Sequence, residues 1–384
     1  MLELAAGLDR AAWEPLLLTA GQGALIARAR AAGVRTVVLP FGLLRRRFPF
    51  VDFYLLGPLV LRRLLRREGI ALVHTHDPAS PLALAPVAGR LGIPVVVHVH
   101  DLDQRWITPR VLLALARARS AVVGISDAAV RWAVARGAPP ALVRRIHNGV
   151  HDVHDVHGAA ARASSREVSR HALNLATDDV AFALVARLVP RKGHEDAIRA
   201  LAAVAGRAPT ARLVFVGSAP AAHAAHERML HALARDLGIA DRVHFLGERD
   251  DVAALLGGMD VNLLPARREA FGRVIVEGMQ AGLPALVYDD AALPELVRDG
   301  VDGVVVATGD MARLADAIAR LATDAPWRAM LGGTARVRAL EFTHARFVGK
   351  VVALYAEMVG DGHPMELEIR ASPPPPRPPS SSRG

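Results

Sequence analysis

This sequence predicts two doubly wound α/β domains facing a cleft, and three observations carry that reading. Strand-length apolar runs alternate with longer amphipathic stretches through almost the whole chain. The runs are near-continuous in Val, Ile and Leu, the pattern of parallel strands covered on both faces. The chain has 384 residues, too many for one ordinary core, and the alternation breaks once, after Gly149.

The first series of runs is PLLLT (15–19), RTVVLP (35–40), IALVH (70–74), IPVVVHVH (93–100), SAVVGIS (120–126) and VRRIHN (143–148). Between them lie stretches such as LVLRRLLRREG (59–69), with apolar residues at helical spacing. From Gly149 to about Thr177 the chain is rich in His, Ala and Arg, which reads as a linker followed by one helix. The second series is VAFALVAR (180–187), ARLVFVG (211–217), RVHFLG (242–247), DVNLLP (260–265), PALVY (284–288) and DGVVVA (302–307). Beyond Gly360 the chain runs into ASPPPPRPPSSSRG, which cannot build a core. The expected division is therefore 1–150 for the first domain, 151–177 for the linker and its helix, and 178–345 for the second domain. A C-terminal helix at 346–360 is expected to pack back on the first domain, ahead of a disordered Pro/Ser-rich tail at 361–384.

Composition removes several function classes. Cysteine is absent, so disulfides and cysteine-ligated metals are excluded. The formal charge is +9, from 47 Lys+Arg against 38 Asp+Glu, with clusters at Arg45-Arg46-Arg47 and Arg62-Arg63…Arg66-Arg67. Such clusters read first as solvated helix faces, and they also suit phosphorylated substrates or an anionic membrane surface. Nucleic acid is not an expected partner, because no aromatic-interleaved basic motif or zinc-finger spacing occurs. No run of 18 apolar residues exists and the N-terminus lacks a signal-peptide layout, so a cytoplasmic chain is expected. Mixed basic and apolar residues at 43–48 and 59–67 allow peripheral contact with the inner face of the membrane.

The chemistry concentrates in PARREAFGRVIVEGMQAGLP (265–284). Glu269 and Glu277 lie eight positions apart around Phe271-Gly272, which reads as a helix start, with Glu277 about two turns inside. Helix N-termini carry free N–H groups and partial positive charge, so they suit anionic or hydroxyl-rich ligands. Arg187 ends the first strand of the second half, and RLVPRKGHE adds Lys192 before a new helix. Two cations at a strand-to-helix turn suit a diphosphate.

In the first half His98 and His100 share one strand face, and His100 falls at the strand end beside Asp101. His74 and His76 end the preceding strand in the same way. Taken alone, a strand-end histidine reads as structural, and Ser126 reads as a helix N-cap. HDVHDVH sets His151, His154 and His157 at spacing three, but in an unpatterned linker without a supporting shell, so no metal site is expected there. G-x-S-x-G, GxxxxGK[ST] and HExxH are all missing.

Together these residues resemble the family 4 retaining glycosyltransferases, which have the GT-B fold of two Rossmann-like domains. EAFGRVIVEGMQAGLP is similar to that family's E-x7-E signature, and ARLVPRKGHEDAIRAL to its donor-diphosphate loop. LVHTHD, VVVHVHDLD, VGISDAA and RRIHNGV stand in its usual first-domain places. The resemblance covers about residues 1–358.

It implies a nucleotide-sugar donor held mainly by the second domain, and a glycan, lipid-linked or small-molecule acceptor. Arg187 and Lys192 would hold the diphosphate, and Glu277 the ribose hydroxyls. Glu269 and the N–H groups of Phe271, Gly272 and Arg273 would hold the sugar, with His100 near the reacting centre. No metal or other cofactor is implied.

Three departures accompany it. Met1 begins inside what resembles the family's first helix, so the family's first strand and the glycine-rich loop after it are not found, and Gly21-Gln22-Gly23 does not replace them. Ala219 stands for the second glycine of the usual VGxG turn. Ala291-Ala292 precede LPELV in place of two glycines, while Glu295 is retained. Two other readings stay open at this level: a nucleotide-sugar epimerase, and a truncated GT-B protein that binds without turnover.

Overall fold

The computed structural model of the chain describes residues 1–19, 21, 23–39, 57–76, 80–102, 115, 120–151 and 159–360. Every apolar run named above contributes a strand. The first half supplies β1 (Leu16–Thr19), β2 (Arg35–Val38), β3 (Val73–Thr75), β4 (Val95–Val99), β5 (Ser120–Gly124) and β6 (Val143–Arg145). The second half supplies β7 (Val180–Val185), β8 (Ala211–Val216), β9 (Val243–Phe245), β10 (Val261–Leu264), β11 (Ala285–Tyr288) and β12 (Gly303–Val306). Most strands are shorter than their runs at the carboxyl end, where the backbone leaves the ladder and carries the polar residues of interest.

The second half forms one parallel sheet in the order β12-β11-β10-β7-β8-β9. The winding reverses between β7 and β10, and such a switch point, beyond the carboxyl ends of the strands, is where open α/β sheets bind their ligands. In the first half β3-β4-β5-β6 form one parallel sheet and β1-β2 a separate pair. The single doubly wound sheet expected there is thus divided among the described residues: β1 pairs only with β2, and β3 only with β4.

All five residues of β4 are buried. Val95, Val97 and Val99 enter the main core, while Val96 turns to the opposite face. On that face Val96, Ala121 and Val123 pack with Leu4 of α1 (Leu2–Ala6) and with Phe347, Val351, Leu354 and Tyr355 of the last helix, His344–Val359. The chain returns to the first half through a parallel bridge between Val150 and Thr343. Val150 N–H donates to Phe342 and His344 N–H donates to Val150, both at 2.9 Å.

The linker helix, α6 in chain order (Ala159–Ala172), docks on the second half. Arg166 and Arg170 grip the two carboxylate oxygens of Asp260 at 2.6 and 3.0 Å. The arginines at 45–47, the stretch 43–48, Gln22, His154, His157 and the tail 361–384 lie outside the described residues.

Candidate active site

The crevice of the second half is built where the β7 and β10 loops meet. Arg187 emerges just past β7, and the chain then makes a 3-10 turn, Pro190–Lys192. Gly193 follows at φ +78, where a Cβ would lie 2.1 Å from the carbonyl oxygen of Pro265. Only glycine lets the two loops approach this closely. Arg267 N–H then donates to Arg191 O at 2.7 Å and stitches them together.

This contact delivers the Lys192 ammonium directly onto the Glu269 carboxylate, with the Arg191 guanidinium 4.0 Å away. Both side chains of the Lys192–Glu269 pair are largely buried. Arg187 is exposed and, among the described residues, has no carboxylate partner. A cation left unpaired beside a buried lysine–glutamate pair is a ready receptor for anionic oxygen.

The helix after Glu269 starts later than its sequence suggests. It spans Arg273–Gln280, because Gly272 takes φ +90 as its N-cap. Glu277 therefore lies about one turn inside, not two. The N–H groups of Phe271, Gly272 and Arg273 have no acceptor among the described residues, so this helix N-terminus keeps unpaired donors next to Glu269. Phe271 anchors the loop: it is 2% exposed, and its ring lies 5.9 Å from His147 and 6.0 Å from Phe342. Asn262 of β10 holds the helix's first turn by donating to Val274 O at 2.7 Å. Burial pushes the Glu277 carboxyl up from its ordinary value, against the pull of Arg273, whose Nε is 3.9 Å away.

Facing this, the first half presents a block of four imidazoles from adjacent strands. His74 and His98 form one edge-to-edge pair, with Nε2 3.2 Å from Nδ1 and ring planes 14° apart. His76 and His100 form a second pair at 2.9 Å and 19°. The pairs stack, with ring centroids 4.2 and 4.4 Å apart. Tyr355 closes the inner end with its hydroxyl 2.5 Å from His74 Nδ1.

Nitrogens of His74, His76 and His98 fall within 4.8 Å of one another, close enough to consider an ion. An ion must lie in the plane of each ligating ring, however, and the planes of two stacked layers do not converge on one point. The block is a hydrogen-bonded network by geometry. Burial lowers His100 to about 4 and His74 to about 3, so both are neutral near pH 7. After burial, the positive charge of Arg273 also contributes to lowering His100.

Of the residues singled out in the sequence, Arg187 and Lys192 lie on the loop after β7, Glu269, Phe271 and Gly272 on the loop after β10, Arg273 and Glu277 on the helix that follows it, and His100 just past β4. Sequence reading missed Arg191 at Glu269, and His76 as the partner that ties down His100 Nε2. The matching H-x-H patterns at two strand ends were the available signal for the second. Ser126 is the N-cap expected, accepting from Ala129 N at 3.0 Å. Among the described residues no helix is long and apolar enough to cross a membrane.

Residues 1–153 match the family described as Glycosyltransferase Family 4, and residues 165–338 match Glycosyl transferases group 1. The D-inositol 3-phosphate glycosyltransferase of Saccharomonospora viridis is 30% identical over 318 residues, 78% of this chain and 72% of that protein. The chain belongs to glycosyltransferase family 4.

The same-named enzyme of Acidothermus cellulolyticus is also 30% identical, over 76% of this glycosyltransferase and 68% of its own length. Solved GT-B structures share the fold. HepE of Anabaena in complex with UDP and glucose superposes with a TM-score of 0.75 at 22% identity, covering 93% of this chain and 94% of that one. A Rickettsia africae glycosyltransferase superposes with a TM-score of 0.80 at 16% identity, covering 94% of each chain. This enzyme therefore transfers a glycosyl group from a nucleotide-sugar donor, and family membership favours transfer over epimerisation.

Proposed function

We propose that the enzyme transfers its glycosyl group with retention of anomeric configuration, to a glycan, lipid-linked or small-molecule acceptor. The donor lies in the crevice of the second half. Lys192 and Arg187 receive the diphosphate, Glu277 the ribose hydroxyls, and Glu269 with the N–H groups of Phe271, Gly272 and Arg273 the sugar. The observation that carries this reading is the Lys192–Glu269 pair beside a helix N-terminus whose N–H groups are unpaired among the described residues. A phosphate entering there can take over Lys192 and free Glu269 for a sugar hydroxyl.

As the bond from the anomeric carbon to the phosphate breaks, charge grows on the leaving group. Lys192, Arg187 and the helix N-terminus are pre-placed to bear it without a metal ion. The acceptor oxygen attacks from the same face, and its proton passes to the departing phosphate oxygen. His100, neutral and held through Nε2 by His76, keeps Nδ1 for a substrate hydroxyl.

The test is a panel of nucleotide sugars, beginning with UDP-glucose, followed by product anomer assignment. Lys192→Ala is expected to lower kcat/KM by about 100-fold, with EDTA leaving the unaltered enzyme's rate unchanged. Inversion of configuration, or a covalent glycosyl adduct on Glu269, contradicts the mechanism.

The acceptor side extends to a membrane surface in this reading. Helix α3 (Gly57–Arg67) buries Leu61 and Leu65, and turns Arg62, Arg63, Arg66 and Arg67 outward. Among them Leu59 and Val60 are 63% and 46% exposed. Apolar side chains set within arginines suit anionic headgroups. Vesicles rich in phosphatidylglycerol are expected to sediment the protein, and purely zwitterionic vesicles to leave it in solution. Equal behaviour with both removes the membrane contact.

A further inference from the structure

We infer that Glu295 is a positioning residue for glycosyl transfer: it draws the two halves of the enzyme together by capping a helix of the opposite half, and it ties that closure to the donor loop. Helix α5 (Asp127–Ala135) begins at the carboxyl end of β5. Its first N–H groups have no partner within the helix. Ser126 Oγ accepts from Ala129. The two N–H groups before it belong to Asp127 and Ala128. They donate to Glu295 Oε2 at 2.6 Å and Oε1 at 2.8 Å, from 168 and 167 residues away in sequence. Both carboxylate oxygens are thus committed across the interface, at the positive end of a helix dipole, on a side chain 13% exposed. Separating the halves strips both N–H groups of their acceptor at once.

On its own side Glu295 is wired to the donor loop. It lies in the short helix Leu293–Leu296. Ala292 N–H, just before that helix, donates to Glu269 O at 3.1 Å. Arg268 N–H donates to Asp290 Oδ1 at 2.5 Å. From behind, Arg338 donates to Glu295 O at 3.0 Å. A shift of residues 268–272 as the donor seats is therefore passed through two hydrogen bonds to the segment that aims the carboxylate. The kinetic part of this inference rests on the donor site proposed above; the clasp itself does not.

The chain has no cysteine, so Arg90→Cys and Arg313→Cys allow two dyes to be placed, one on each half. In the ligand-free full chain, Glu295→Ala is expected to move the inter-dye distance to longer, broader values. kcat falls by about tenfold or more, while the affinity for UDP, the probe, stays within about threefold. A structural residue of the donor pocket would instead weaken UDP.

Asp127→Pro is the second variant. Proline is tolerated at the first helical position, Ser126 before it is already extended (φ −159, ψ 167), and the N–H to Oε2 is removed. It is expected to open the molecule in the same direction, with the double variant less than additive. Unchanged distances in both variants, or lost UDP affinity without a distance change, overturn the clasp. UDP that fails to bind the unaltered chain counts against the donor reading alone, and the distance measurement then decides the clasp.

Discussion

Ala291 shows what a single residue costs near the donor loop. It is held at φ +49, in the left-handed region, at a position where the family resemblance expects glycine. A side chain there costs about 1–2 kcal/mol. Ala219, a second such departure, is not among the residues with positive φ, and its N–H donates to Glu227 at 3.3 Å. Ala292, the second alanine of its pair, sits at φ −94, so of the three substitutions only Ala291 is strained. Ala291→Gly should stabilise the enzyme by about 0.5–1 kcal/mol once the extra flexibility of unfolded glycine is counted. A rise in urea midpoint checks this, and a fall would mean that Ala291 packs usefully. Sequence alone placed this residue but not its φ, because backbone angle follows from the hydrogen bonds of the following Ala292 and of Asp290.

At the scale of elements, strand order was legible across the described residues, because burial periodicity is a local property. Element ends were less so. The donor-loop helix begins at Arg273 because Gly272 adopts a left-handed N-cap, which no periodicity announces.

The linker helix offers the sharpest test at this scale. Arg170, 8% exposed, donates to Asp260, Ala176 O and Asp179 O, while Asp260 also accepts from Ala181 N at 2.9 Å. Arg170→Ala leaves Asp260 with Arg166 and the Ala181 N–H but takes the guanidinium from the carbonyls of Ala176 and Asp179, and is expected to destabilise by about 2–3 kcal/mol. Chemical denaturation monitored by tryptophan fluorescence measures it. A loss below about 1 kcal/mol would show that solvent replaces the arginine.

For the whole molecule, the buried histidines set the response to acid. His74 and His194 are lowered to about 3 and His100 to about 4, with His76 and His98 also well below 6.5, in each case through burial first. Below pH 6.5 the unfolded chain takes up protons that the folded chain does not, so stability is lost as pH falls from about 6.5 toward 4. Each histidine contributes up to about 1.4 kcal/mol per pH unit in that window. Glu277, with its raised carboxyl, works the opposite way, but as a single group. The urea midpoint is therefore expected to drop steeply between pH 6.5 and 4.5. A flat profile would mean the imidazole block is open to water.

What the sequence determined by itself was the alternation of strands and helices, the loops that carry Arg187, Lys192, Glu269 and Glu277, and the family. All of these follow from short-range patterns and from residue types at fixed spacing. Tertiary structure alone decided that His74 meets Tyr355 across 281 residues and that Glu295 caps a helix of the opposite half. Those pairings depend on which faces two distant elements bury against each other, and local periodicity says that a face is apolar without saying what will cover it.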